Sequence, residues 1–272
     1  MTWHGWFVIA LTILAPCSFL TLEAIAEQPS GSLAVIGRGP ERPMVEQLAR
    51  EFEKVHLGTS VDIRWNRNFH TAEMVRSGQA DIAVSGRESR DLSATTIAWD
   101  GLAVIVNFSN PIQEVTSRQA ASLFAGRIRD WAEVDERAVR RVWVFSRPDD
   151  QNLTEGFERS LGIMGARPKN VETIRSDQKV LSRVSGQLNA VSFMSLKQAL
   201  DAVTYGLSVK VLVIDGIEPG RPTVQSGSYP IKRPVILLSR KNATALAIAF
   251  LNFALSPPGQ RIIGETYSPL PR

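Results

Sequence analysis

Cysteine is almost missing from this 272-residue chain; Cys17 is the only one. From Glu27 onward there is no thiol, so disulfides and thiolate metal sites are excluded from that part. Histidine is scarce as well, with His56 and His70 the only two beyond the first 26 residues. No H-E-x-x-H, no phosphate-loop Lys-Ser/Thr pair and no G-x-S-x-G occurs, which removes the residue sets of zinc proteases, P-loop enzymes and nucleophile-elbow hydrolases. The Lys and Arg residues are scattered among acids without a basic block or an aromatic-interleaved stripe, so they read as a solvated surface and not as a nucleic-acid face. An enzyme has little to stand on here, and neither a cofactor nor a metal is expected.

Residues 1 to 22 carry no charged side chain, and Trp6 to Leu22 is largely apolar but broken by Pro16. Followed by Ala24-Ile25-Ala26, this reads as a secretory signal peptide over 1–26, cleaved before Glu27. Cleavage removes Glu23 alone and moves the net charge from +4 to +5. Two alternatives stay open. A retained anchor is disfavoured by Pro16, and lipidation at Cys17, in Leu14-Ala15-Pro16-Cys17, is disfavoured by the proline before it.

The rest, 44% hydrophobic and 21% charged over the whole chain, is ordinary for a globular protein with one long domain or two modest ones. Leu33-Ala34-Val35-Ile36 is a short apolar run ending in Gly37-Arg38-Gly39-Pro40. Beyond Pro43, Met44, Val45, Leu48, Ala49 and Phe52 recur at helical spacing. Strand, turn and amphipathic helix follow, and the free N–H groups at the helix start offer an anion seat. The Gly37-x-Gly39 pair is not a dinucleotide fingerprint, because Arg42 stands at the third glycine position. His56 ends this helix and is expected to be structural.

Val61 to Trp65 alternates as a strand, Thr71 is expected to cap a short helix, and Asp81 to Ser85 returns as a strand. Such alternation implies a mostly parallel sheet with helices on both faces. Gly101 to Val106 is continuously apolar. The alternation then repeats: a helix over 117–124, a strand over 141–146, a helix over 152–161, a possible strand over 171–175, a helix capped by Asp177, and strands at 189–193 and 210–214. Residues 215–230 read as a linker or surface loop. An apolar run at 234–239, a helix over 243–255 and a short helix after Pro257-Pro258-Gly259 close the chain.

Several collinear segments resemble the phosphate-type periplasmic substrate-binding proteins, the solute receptors of ATP-driven phosphate importers. They are residues 33–54, Ser77-Gly78-Gln79-Ala80-Asp81-Ile82-Ala83-Val84-Ser85-Gly86-Arg87, Phe124-Ala125-Gly126-Arg127-Ile128-Arg129-Asp130-Trp131, Tyr229-Pro230-Ile231-Lys232-Arg233-Pro234 and the closing Phe250 to Gln260. The resemblance implies an α/β, two-lobed type II binding-protein fold. Each lobe is then a mixed sheet flanked by helices, with a ligand cleft between them. Lobe one would comprise 27–108 and 228–272 and lobe two 109–227, with the runs at 101–106 and 234–239 as the passages between them. The implied role is a periplasmic or secreted receptor that binds a small anionic solute, phosphate or an organic anion, and works with an ABC permease, with membrane contact only through the leader or a lipid at Cys17.

The positions matching the family's ligand loops, taken with the polar residues beside them, are Arg38, Gly39, Asn68, His70, Ser85, Arg87, Arg147, Gln151 and Asn152. They depart from the family pattern. Arg38, Gly39 and Pro40 stand where small hydroxyl residues are usual, and Gly86 stands where some members have a serine or aspartate. Asp149 and Asp150 fall in the third loop. Losing hydroxyl donors weakens a cage for a small oxyanion, and the two acids repel one. Arg38, Arg67, Arg87 and Arg147, if inward-facing, restore positive charge in a wider fork suited to a carboxylate or organic phosphate. The competing expectations are a non-transport scaffold or signalling protein with a degenerate cleft, and a hydrolase using Asp149 or Asp150 with His70.

Overall fold

The computed structural model describes residues 1, 30–138, 140–147, 151–166, 168 and 171–271, and of Gln151 the backbone alone. The expected leader with Cys17, and the acids Asp149 and Asp150, lie outside the described residues. In chain order the first elements are β1 (Gly31–Gly37), α1 (Arg42–Val55), β2 (Thr59–Trp65), α2 (Thr71–Arg76), β3 (Ile82–Ser85), β4 (Ser93–Asn107), β5 (Glu114–Val115) and α3 (Ser117–Phe124). After a short 3₁₀ turn come β6 (Trp143–Ser146), α4 (Gln151–Ser160), β7 (Glu172–Thr173), α5 (Asp177–Gly186), β8 (Ala190–Ser195), α6 (Leu196–Thr204), β9 (Val209–Val211) and β10 (Val213–Ile214). The chain closes with α7 (Arg221–Ser226), β11 (Lys232–Ser239), α8 (Ala245–Leu255), α9 (Pro257–Ile263) and β12 (Ser268–Pro269).

One hydrogen-bonded ladder runs β2-β1-β3-β11-β4-β8-β6-β7, with β12 and β9 also on β4. The ladder is continuous only through β4. Its first half, Ser93 to Gly101, pairs antiparallel with β11, and its second half, Leu102 to Asn107, pairs antiparallel with β8 and β9. β1 is parallel to both β2 and β3, and β6 is parallel to both β8 and β7, so each half carries a mixed sheet.

Apolar side chains gather in separate cores on either side of this crossing. Leu33, Val35, Leu48, Phe52, Phe250 and Ile263 belong to one, on the face of the first sheet covered by α1, α8 and α9. Ile36, Val75, Ala83 and Leu238 form its counterpart on the opposite face, under α2, as the two-residue strand repeat requires. A third core holds the second half of β4 together with Phe124, Trp131, Phe145, Phe157, Phe193 and Tyr229. The run 102–106 lies in the third core, and 235–238 alternates between the two faces of the first sheet, so the crossings fall just before each run. The chain changes core at Asp100–Leu102 and again at 231–235, where Leu102 N donates to Ile231 O at 2.8 Å.

Local sequence accounts for most elements, but it does not lead to α6, β5, β12 or the first half of β4, and several expected details differ. All five apolar residues expected on α1 are buried, and His56 caps its end with Nδ1 3.1 Å from Phe52 O and its ring stacked on Phe52 at 4.1 Å. Thr71 does not cap α2; His70 occupies that position and Thr71 is the buried first helical residue. Ser176, not Asp177, caps α5, its hydroxyl accepting from Lys179 N at 3.1 Å, and Asp177 is the first helical residue. Residues 215–230 are not only loop. They contain α7, with Pro222 in its first turn and Gly227 in the left-handed region at φ 83° ending it. Pro257-Pro258-Gly259 starts α9 under a Ser256 cap; a Cβ on Gly259 would lie 2.1 Å from Phe253 O, so the glycine lets α8 and α9 cross closely.

Candidate functional site

The turn leaving β1 is built around Trp65. A Cβ on Gly37 would fall 2.1 Å from the Trp65 ring, so only glycine lets the indole cover this strand end, and Trp65 Nε1 donates to Gly39 O at 2.8 Å. The loop after β2 is pinned beside it, with Asn66 N donating to Gly37 O at 3.1 Å. Within that loop the inward residue is Phe69, packed on the Ile36–Ala83 core. Asn68 and His70 consequently stand on the solvent side with Arg67, and neither Asn68 nor His70 hydrogen-bonds to another residue of the expected set among the described residues. The structure does not draw these two into the site.

Opposite these turns is the bend after β6. Arg147 is 5% exposed, its guanidinium paired with Asp177 and its carbonyl accepting the Thr154 hydroxyl. Asn152, on the first turn of α4, reaches the turns that follow β1 and β3. A Cβ on Gly86 would lie 3.4 Å from Asn152 O, and one on Gly39 would lie 3.0 Å from Asn152 Nδ2. Asn152 is 4% exposed, and its Nδ2 has no hydrogen-bond partner among the described residues. Gly39, Gly86 and Asn152 thus meet, with Arg147 five residues before Asn152.

The remaining expected residues are placed differently. Arg38 is half-buried in the turn. Ser85 is buried, but its hydroxyl is spent on its own chain, donating to Arg87 O at 2.8 Å and accepting from Arg87 N at 3.2 Å. Arg87 points outward, its side chain 60% exposed and 3.5 Å from Glu155. It joins the turn after β3 to α4 as a solvated pair, which contributes little, and does not form an anion fork. Gln151 begins α4, and its side chain lies outside the description. Of the four arginines expected to face inward, Arg67 and Arg87 face solvent, as exposed guanidinium groups commonly do.

A charged cluster beneath the turn was not legible in the sequence. Arg233, at the start of β11, donates from Nη1 to Glu41 Oε1 at 2.6 Å and from Nη2 to Asp100 Oδ2 at 2.8 Å, and Ser195 Oγ donates to Asp100 Oδ1 at 2.6 Å. All four residues are buried. Burial pushes the Asp100 carboxyl above the usual carboxylate range, with Arg233 and Ser195 pulling the other way. The second oxygen of Glu41 has no hydrogen-bond partner among the described residues and lies 2.2 Å from where a Gly39 Cβ would be. The signal that could have exposed this cluster is Asp100 at the head of a fully apolar run, since a charge inside a buried strand needs a partner.

A description of the PBP superfamily domain matches residues 23–258. The chain belongs to the PBP superfamily. Among individual PBP relatives, the phosphate-binding protein PstS of Bacillus subtilis (strain 168) is 24% identical over 245 residues, covering 87% of this chain and 79% of the relative. In the solved structures an ABC-type phosphate transport receptor from Vibrio cholerae superposes with a TM-score of 0.76 at 22% identity, over 89% of this chain and all of that one. PstS from Borrelia burgdorferi superposes with a TM-score of 0.69 at 17% identity, again over 89% of this chain and 100% of the other. The fold of this PBP member is thus that of two-lobed phosphate receptors. Among its described residues no helix is long and apolar enough to cross a membrane, and no group of His, Cys, Asp and Glu is placed to hold a metal ion.

Proposed function

We propose that this chain is the solute-binding component of an ABC importer, secreted or held at the bacterial envelope, that closes its lobes on phosphate or another small anion. Lobe one is taken as 27–108 with 228–272 and lobe two as 109–227. The observation that carries the reading is Asn152, a lobe-two side chain whose buried amide nitrogen is aimed at Gly39 with no described partner. A buried donor of this kind is costly unless something accepts from it. Arg147, five residues earlier, is a buried guanidinium that an anion would share with Asp177, and the N–H groups that open α4 add to the attraction for an anion. Relatives named as phosphate-binding proteins support the same choice of solute. Closure is a hinge movement about the β4 and β11 crossings, driven by tighter binding to the closed form.

Thermal melting of the chain against phosphate, sulfate, phosphonates and small carboxylates tests this, because a ligand bound only by the native state raises the midpoint. A rise with phosphate that Arg147→Ala abolishes is expected. One observation favours a second reading, a scaffold with a degenerate cleft: the Glu41 carboxylate is buried in the turn itself, where it repels an incoming oxyanion. No rise with any anion, together with capture of an envelope protein, would decide for the scaffold.

A further inference from the structure

Beside the Asp100–Gly101 crossing, two hollows of about 950 and 300 Å³ share Arg221 as a wall. The larger is lined by Leu255, Pro257, Pro269 and Leu270 from the first half of the fold, and by Arg221 and Gln225 of α7 from the second. The smaller continues past Gly101 to Leu196 and Leu200 on α6. The walls are mainly apolar by area, and each hollow by itself falls in the range that small-molecule sites occupy, about 300–1,000 Å³.

The charges in this groove are unequally committed. Asp100 is held by Arg233 and Ser195, Asp201 is paired with Lys197 at 2.6 Å, and Glu265 accepts from Gln47 at 3.4 Å. Gln260 is consumed by backbone, donating to Ile97 O and Ala254 O and accepting from Leu270 N. Arg221 and Arg261 have neither a carboxylate nor a hydrogen-bond partner among the described residues. An aliphatic trough with an uncommitted guanidinium at the junction of its two chambers matches one kind of occupant. We infer that this groove binds a small organic anion with an apolar tail, such as a medium-chain alkyl carboxylate, its head paired with Arg221 and its tail along the proline and leucine wall. None of the residues lining the groove belongs to the Gly39–Gly86–Asn152 contact, so binding here is separate from binding there.

Isothermal titration of the full chain with sodium decanoate, in phosphate-free buffer, tests it. Binding of one decanoate per chain is expected, with no measurable binding of acetate or of decyltrimethylammonium, and a loss of tenfold or more in Arg221→Ala. Arg221 is exposed at the start of its helix, so this variant should fold, and an unchanged melting midpoint without ligand checks that it does. Equal affinity for the cationic amphiphile, an unchanged affinity in Arg221→Ala, no binding at all, or binding only to anionic phospholipid vesicles would each overturn the inference. Failure of phosphate to bind the cleft leaves this titration fully readable.

Discussion

Arg233 holds two carboxylates at once. Its Nη1 reaches Glu41 at 2.6 Å while Nε and Nη2 reach Asp100 at 3.0 and 2.8 Å, and none of the three is measurably open to solvent beyond 2%. Glu41 comes from the start of α1, Asp100 and Arg233 from the two crossing strands, so the arginine ties the opening turn to the hinge.

Replacing Arg233 by Met leaves two buried acids without their cation. Breaking a buried pair by removing one partner typically costs about 3–5 kcal/mol. Urea unfolding of Arg233→Met should show a loss of that order at neutral pH, and a loss under about 1 kcal/mol would mean that the two acids are not relying on this arginine.

Gly156 lies in α4 where a side chain would strike Arg233, its Cβ 2.7 Å from the arginine Cβ and 2.8 Å from its Cδ. Alanine gains about 1 kcal/mol of helix propensity over glycine, but forcing a methyl into a packed contact costs about 1–3 kcal/mol. The contact should win. Gly156→Ala is expected to lower the melting midpoint, and a raised midpoint would show that α4 can move off β11 at little cost.

Asp177 neutralises Arg147 at the base of the cleft. Asp177→Asn keeps the shape and removes the competing charge, so anion affinity should rise several-fold. Titration calorimetry with phosphate reads this directly, and an unchanged or weaker affinity would place the anion away from Arg147.

Asp91 accepts from Arg76 on the surface of lobe one, which holds its carboxyl down at about 2 from an ordinary 3.8. A depressed carboxylate contributes stability that is present above the unfolded value and is lost as pH falls through the folded one. The Arg76–Asp91 contribution should therefore fade between pH 3.8 and about 2. NMR titration of Arg76→Ala should return the Asp91 midpoint towards 3.8; a midpoint still near 2 would assign the shift to the Ser89 and backbone contacts instead.

Elements whose apolar spacing is regular were legible residue by residue. The buried face of α1 and the span of α3 follow from periodicity alone, because helical spacing is a local property of the chain. Helix starts were less legible, since Ser176 and Asp177 are both good caps and only the backbone turn decides between them. The first half of β4 was missed because Ser93 to Thr96 offers little apolar signal before Ile97, and its strand state is imposed by pairing with β11.

By itself the sequence determined the α/β alternation, the absence of thiol beyond residue 26, and the resemblance of several collinear segments to solute receptors. Those properties depend on composition and on residues a few positions apart. Tertiary structure alone decided which polar groups share a site. It brought Asn152 to Gly39 and Gly86, turned Asn68, His70 and Arg87 to solvent, and paired Glu41 with Arg233 across 192 positions. Such pairings depend on how two sheets meet at a crossing, and no spacing rule along the chain encodes that meeting.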